Sequence, residues 1–308
     1  MRAGSEASSA PGNPGFSFSS QLSRTSIATL SFLAMVFVCG TTFFSSAMIH
    51  HNVRAGTKAS SATSGALSSS FPRRVFCFGD SLTAGTSPPN HDLFPYAKHL
   101  EESLNKHKLN PSDNVVLDNI ERTVQVRWKG YPGWTAPSLL RNGGLSDIIE
   151  KAAQQQQQQE TEGSVSSSEE EGQHTAIDLV VVLAGTNDLA HSKDGQSIFE
   201  SIKSIHEQAF SQGHVHRTIA LGIPPSGWQV HSESARSLAL EVNSKLESWS
   251  ATTSTSDAKT VFVPFPIQEY DRNSDLWSPD GLHFSPKGYQ SIGESLAPIV
   301  ADILWNNK

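Results

Sequence analysis

From Arg74 onward the chain alternates short, continuously apolar runs with stretches of helical period, and no other feature narrows its fold so far. The run DLVVVLA, Asp178 to Ala184, is apolar at every position after its aspartate rather than at every second one. A strand of that kind must be covered on both faces, the condition of a parallel sheet layered between helices. Further candidate strands are Val75 to Phe78, Val115 to Asp118 with an extended run near Val124 to Trp128, Thr218 to Gly222, and Val261 to Phe265.

Between them, apolar residues recur at spacings of three and four, each set marking one helix face. The sets are Leu93, Tyr96, Ala97, Leu100 and Leu104; Ile198, Phe199, Ile202, Ile205 and Ala209; and Ala235, Leu238, Val242, Leu246 and Trp249. A last set, Tyr289, Ile292, Leu296, Ile299 and Ile303, closes the chain, and Pro298 inside it predicts a kink or a split. The pattern predicts a three-layer α/β/α domain over residues 71–308 around a mostly parallel, five-stranded sheet. Such sheets bind ligands at the carboxyl ends of their strands, beside the point where strand order reverses.

Two segments fall outside this pattern. Residues 1–70 are rich in Ser, Ala, Gly and Thr and show no amphipathic period, which predicts a disordered leader. Within it, Ile27 to Ile49 carries no charge. As a helix it would reach roughly 34 Å, enough to cross a bilayer. It reads as an uncleaved single-pass anchor in preference to a signal peptide cut after Ser45-Ser46-Ala47, and either version places the protein at a membrane or in the secretory route. Residues 154–172, QQQQQQETEGSVSSSEEEG, are acidic and of low complexity, and predict a flexible surface loop.

Charge narrows the partners. The leader carries four bases and one acid, so the net −7 of the whole chain leaves −10 on the remainder (19 bases, 29 acids), which argues against nucleic acid. The two cysteines, Cys39 in the apolar segment and Cys77 in the first predicted strand, form no disulfide framework.

Four short motifs follow predicted strands or close the domain: GDSLT (79–83), YPGWT (131–135), GTND (185–188) and DGLH (280–283). A serine hydroxyl becomes a nucleophile when a base takes its proton, and imidazole suits the task near neutral pH. Ser81, leaving a buried strand and opening a helix, would present its Oγ to the crevice and its N–H to a developing oxyanion. Asp280 and His283, three residues apart, allow the carboxylate to hold one ring nitrogen while the other faces Ser81. Gly133 can bring a backbone N–H close because it has no side chain, and Asn187 offers a neutral NH₂; with Ser81 these make three donors, each worth about 2.7–4 kcal/mol in an oxyanion hole. Asp80 and Asp188 are expected to support the turns by hydrogen bonding. Tyr131, Trp134, Trp228 and Trp277 lie in predicted strand-end loops, where they line a pocket or pack the loops.

Taken together, GDSL near the amino end, a glycine in the second block, GTND in the third and Asp-X-X-His near the carboxyl end resemble the SGNH, or GDSL, family of serine esterases and lipases. The resemblance spans about residues 74–308 and implies a flavodoxin-like domain, catalytic Ser81, Asp280 and His283, and an oxyanion hole of Ser81, Gly133 and Asn187. It implies hydrolysis of carboxylic esters through an acyl-enzyme on Ser81; no cofactor or metal is expected, and the chain is expected to be a monomer. The apolar leader and the polar insertion are not part of the family pattern, and Gly133 is preferred to Gly130 as the donor. The substrate would be a small-molecule, lipid or acylated-sugar ester.

Other classes fit less well. An α/β-hydrolase needs Gly-X-Ser-X-Gly, whereas Ser81 is followed by Leu82 and Thr83. A metal hydrolase needs clustered ligands such as HExxH, and a nucleotide binder needs a Gly-rich phosphate loop; neither motif occurs. A non-catalytic binding protein on the same fold should have lost a triad member. Acyl transfer to an acceptor other than water would use the same residues.

Overall fold

The computed structural model describes residues 72–106, 123–163, 176–253 and 259–305. The predicted leader with its apolar segment 27–49, and the predicted strand Val115 to Asp118, lie outside the described residues. Among those that are described, no helix is long and apolar enough to cross a membrane.

Five strands form the central sheet: β1 (Arg73–Asp80), β4 (Val124–Tyr131), β5 (Leu179–Leu183), β6 (Arg217–Leu221) and β7 (Lys259–Val263). They lie in the order β4-β1-β5-β6-β7, and every pairing is parallel. In chain order that is 2-1-3-4-5, the doubly wound, flavodoxin-like arrangement, whose reversal falls between β1 and β5.

The three layers follow from the two-residue period of a strand. Val75 and Cys77 of β1, with Leu179, Val181 and Leu183 of β5, face a core closed by α2 (Tyr96–Lys106) and α9 (Pro286–Trp305). Phe76 and Phe78, with Val180 and Val182, face a second core closed by α3 (Ala136–Asn142), α4 (Leu145–Gly163), α6 (Gly195–Phe210) and α8 (Glu233–Thr253). Each apolar residue of these strands therefore has a helix to bury it, which is why the runs show no polar alternation.

Several sequence expectations are revised. Leu93 does not join helix α2; it pairs in β3 (Asp92–Leu93) with β2 (Thr86–Ser87) and is 60% exposed, because Pro95 bars a helical Phe94. The last strand begins at Lys259 and ends at Val263, so Phe265 is a core residue beyond it. Pro298 does not split α9: it and Glu294, whose carbonyl it deprives of an amide partner, both lie on the exposed face, where that carbonyl is open to solvent. Part of the glutamine-rich insertion is not a loop. Helix α4 continues to Gly163, since Gln and Glu are good helix formers and buried Gln156 extends the stripe of Leu145, Ile149 and Ala153. Residues 164–172 of that insertion lie outside the described residues.

Candidate active site

Ser81 is placed by the junction of β1 and a four-residue helix, α1 (Ser81–Ala84). Asp80 is its N-cap, extended in backbone, with Oδ1 accepting from the Leu82 N–H at 2.9 Å. Gly85 ends the helix in the left-handed region, its N–H donating to the Ser81 carbonyl at 3.0 Å. Ser81 therefore stands in a two-sided clamp, and its own N–H, in the first turn, has no acceptor within the helix.

The partner comes from the other end of the chain. His283 Nε2 lies 2.9 Å from Ser81 Oγ, across 202 residues of sequence. Its Nδ1 is 2.6 Å from Asp280 Oδ2. The other carboxylate oxygen, Oδ1, accepts from the backbone N–H groups of Leu282 and His283, each at 3.0 Å. Burial pushes the Asp280 carboxyl upward, but the His283 ring and these two amides outweigh it and hold the group below its ordinary value. The carboxylate thus stays charged, orients the ring, and can stabilise an imidazolium.

The 280–283 loop is anchored from three directions. Ser278 N–H donates to the His283 carbonyl at 2.9 Å, while its buried hydroxyl donates to the Phe284 carbonyl at 2.9 Å and lies 3.1 Å from Ser87 Oγ. Trp277 and Phe284 form a bridge and pack ring on ring at 4.4 Å. The N–H of Gly227, which begins helix α7 (Gly227–His231), donates to the Gly281 carbonyl at 2.7 Å. Tyr270 fills the space beside Gly281: a Cβ there, at φ +68°, would sit 2.8 Å from the tyrosine oxygen. Sequence reasoning found none of Ser87, Ser278, Gly227 or Tyr270, and no local signal marks them, since each acts on the loop through a tertiary contact.

Gly133 follows β4 and Asn187 follows β5, the two strands that flank β1, so all three predicted donors stand at the carboxyl ends of neighbouring strands around the reversal point. Gly130, in β4, packs closely against α1: a Cβ on it would lie 2.1 Å from the Ala84 nitrogen. Gly133, by contrast, has φ +79° and open space where a Cβ would lie. Asn187 donates one side-chain N–H to the Trp134 carbonyl at 2.9 Å, which orients the amide and leaves its second N–H for another acceptor. Asp188 Oδ2 accepts from the Ala136 N–H at 2.8 Å and so caps α3, whose own Thr135 makes no side-chain cap bond. Burial raises the Asp188 carboxyl, and the Ala136 amide opposes the rise. Two adjacent side chains of GTND therefore stitch it to YPGWT and to the Ala136 that follows, as the turn-support reading of Asp188 anticipated. Of the loop aromatics, Tyr131 stacks on Trp134 at 4.4 Å, Trp277 is a core residue, and Trp228 is 43% exposed. Among the described residues no group of three or more His, Cys, Asp or Glu is placed to hold a metal ion.

With this geometry, residues 77–291 match the GDSL-like Lipase/Acylhydrolase family. The chain belongs to that family. It is a carboxylic ester hydrolase by that membership. No curated protein matches it in sequence. Among solved structures, an acetyl esterase mutant with acetate ion is 18% identical, with TM-score 0.51 over 77% of this chain and 100% of that one. A carbohydrate esterase family 3 protein from Talaromyces cellulolyticus gives 18%, TM-score 0.51, and 76% and 99% coverage. TesA gives 15%, TM-score 0.51, and 75% and 100%. At these identities the likeness establishes the shared three-layer fold.

Proposed function

We propose that this GDSL-family hydrolase cleaves its ester through a covalent acyl-enzyme on Ser81. His283 Nε2 takes the hydroxyl proton as Ser81 Oγ attacks the ester carbonyl, and then delivers it to the departing alcohol oxygen. Asp280 holds the ring tautomer and offsets the charge that forms on it. The N–H groups of Ser81 and Gly133 and the free amide hydrogen of Asn187 take the oxyanion. Water, deprotonated by the same imidazole, attacks the acyl-enzyme and releases the acid.

The observation that supports this reading is the unbroken chain from Ser81 Oγ through His283 to Asp280, at 2.9 and 2.6 Å. Hydrolysis of p-nitrophenyl acetate tests it: Ser81→Ala should lower kcat by about a thousandfold or more. Undiminished turnover in that variant would remove Ser81 as the nucleophile. Because two similar structures are an acetyl esterase and a carbohydrate esterase, O-acetylated carbohydrate is the substrate class we assign first, to be tested against p-nitrophenyl esters of longer chains. Release of acetate with no gain on adding an alcohol acceptor fits a hydrolase; acyl transfer to the alcohol in preference to water would make the protein a transferase. We also assign Ile27 to Ile49 as a membrane anchor, a reading supported by its 23 uncharged residues and tested by whether alkaline carbonate extracts the full chain from membranes.

A further inference from the structure

Directly behind the nucleophile lies a group of buried polar atoms that lack well-formed hydrogen bonds. Asp80 is fully buried, and while Oδ1 takes the Leu82 N–H, Oδ2 has no hydrogen-bond partner. Thr83 Oγ1, Tyr96 Oη and Thr186 Oγ1 are buried too and form no hydrogen bond of good geometry, although the Thr186 hydroxyl lies near the Asp80 carboxyl and the Thr83 hydroxyl near Tyr96. The groups that face Asp80 supply no cation. Tyr96 comes from α2, beside the Cys77 thiol of β1, and Asp188 comes from α5 (Asp188–His191) as a second carboxyl. Tyr289 comes from α9 with its hydroxyl committed to the Thr86 carbonyl at 2.7 Å. Across Ser81, the His283 imidazole is committed to Asp280.

An ionised Asp80 would be a buried charge holding one full hydrogen bond and facing another acid, an arrangement proteins avoid by keeping the proton. Protonation removes the charge and converts Oδ2 from an orphan acceptor into an O–H donor beside a hydroxyl. Burial drives this carboxyl up to about 7, the Leu82 amide and the Thr186 hydroxyl opposing the rise and Asp188 adding to it.

We infer that Asp80 is a positioning residue that works as a neutral carboxylic acid, with Oδ1 holding the Leu82 N–H and the Oδ2 proton given to Thr186. It thereby ties α1 to the GTND turn, keeping Ser81 Oγ on His283 while Asn187 stays on its side of the crevice. The inference rests on Ser81 being the nucleophile. Because Asn has an acceptor oxygen and a donor NH₂ where a protonated Asp has a carbonyl and an O–H, Asp80→Asn should reproduce the role and Asp80→Ala should not.

The test uses the full chain. Infrared difference spectra of wild type minus Asp80→Asn at pH 6 should contain a carboxylic-acid carbonyl band that is replaced by a carboxylate band at pH 9. In p-nitrophenyl acetate hydrolysis Asp80→Asn should stay within about threefold of wild type at pH 6 and lack the wild type's decline on the alkaline side, whereas Asp80→Ala should fall by about tenfold or more at every pH. A carboxylate band for wild type at pH 6, or an asparagine variant as impaired as the alanine one at all pH values, would overturn the inference. If wild type hydrolyses nothing, the proposed function fails while the infrared band still decides the state of Asp80; if the alanine variant does not fold, the asparagine profile and the band decide it.

Discussion

Two histidines in this molecule show how little a residue's identity says about its work. His283 stands at the rim of the crevice with both ring nitrogens engaged, one by a carboxylate and one by a serine hydroxyl. His206 stands on α6 against β6 and β7, fully buried, with Nδ1 2.8 Å from Thr218 Oγ1, which is in turn 2.9 Å from Thr260 Oγ1. Its Nε2 has no partner, and the Trp249 ring lies 5.4 Å away. Burial lowers the His206 imidazole to about 3, so it stays neutral at any ordinary pH. A carboxylate on one nitrogen and a serine hydroxyl on the other suit the first to the role of base proposed for it. The second, with hydroxyl partners alone, is a polar piece of core.

Exchanging each histidine should break the comparison in opposite ways. His283→Ala should reduce kcat by about ten-thousandfold with little change in Tm, because it removes the proposed base from a surface loop. Asp280→Asn should approach that loss, since the amide cannot hold the same tautomer, and kinetics together with a melting curve would check both. His206→Ala should do the reverse: about 2–4 kcal/mol lost in denaturant unfolding, with kcat per folded molecule within about twofold of wild type.

A finer test concerns pH. The unfolded chain protonates His206 near 6.5 and the folded one only near 3, so between these values stability falls as pH falls. Asp80 has the opposite sign: the unfolded chain ionises near 3.8 and the folded one near 7, so stability falls as pH rises across that window. Each slope is at most about 1.4 kcal/mol per pH unit, and they oppose one another where the windows overlap. His206→Phe should therefore make Tm fall more steeply with rising pH between about 4 and 6.5, and Asp80→Asn should make it rise more steeply. Unchanged slopes in both variants would show that neither group titrates as its burial requires. The smallest effect expected is from Thr218→Val, which removes the hydroxyl on His206 Nδ1 and should cost about 1 kcal/mol in denaturant unfolding while leaving ester hydrolysis alone.

Legibility followed the range of the interaction involved. The apolar strands and most helices were readable because their periods are local consequences of burial on two faces or one. The failures have tertiary or positional causes: Leu93 was drawn into a strand pair, Pro298 was spared by an exposed helix face, and the glutamine run joined α4 because Gln156 found a buried site. His206 was passed over for the same reason, since nothing adjacent to it in sequence announces Thr218 and Thr260. Asp80 and Asp188 were legible as turn supports. That one is fully buried beside the Thr186 hydroxyl and the other caps α3 was not.

By itself the order of residues determined the layered α/β architecture and the four motifs, three placed after strands and one near the end of the domain, because backbone period and turn chemistry act over a few positions. Only the folded chain decided that the hydroxyl of Ser81 meets the imidazole of His283 across 202 residues, that a Cβ has room at Gly133 and none at Gly130, and which of two histidines faces a carboxylate and a serine while the other is sealed in the core. Distance, access and local charge are properties of the surroundings, and the surroundings of each of these groups are built from segments far away along the chain.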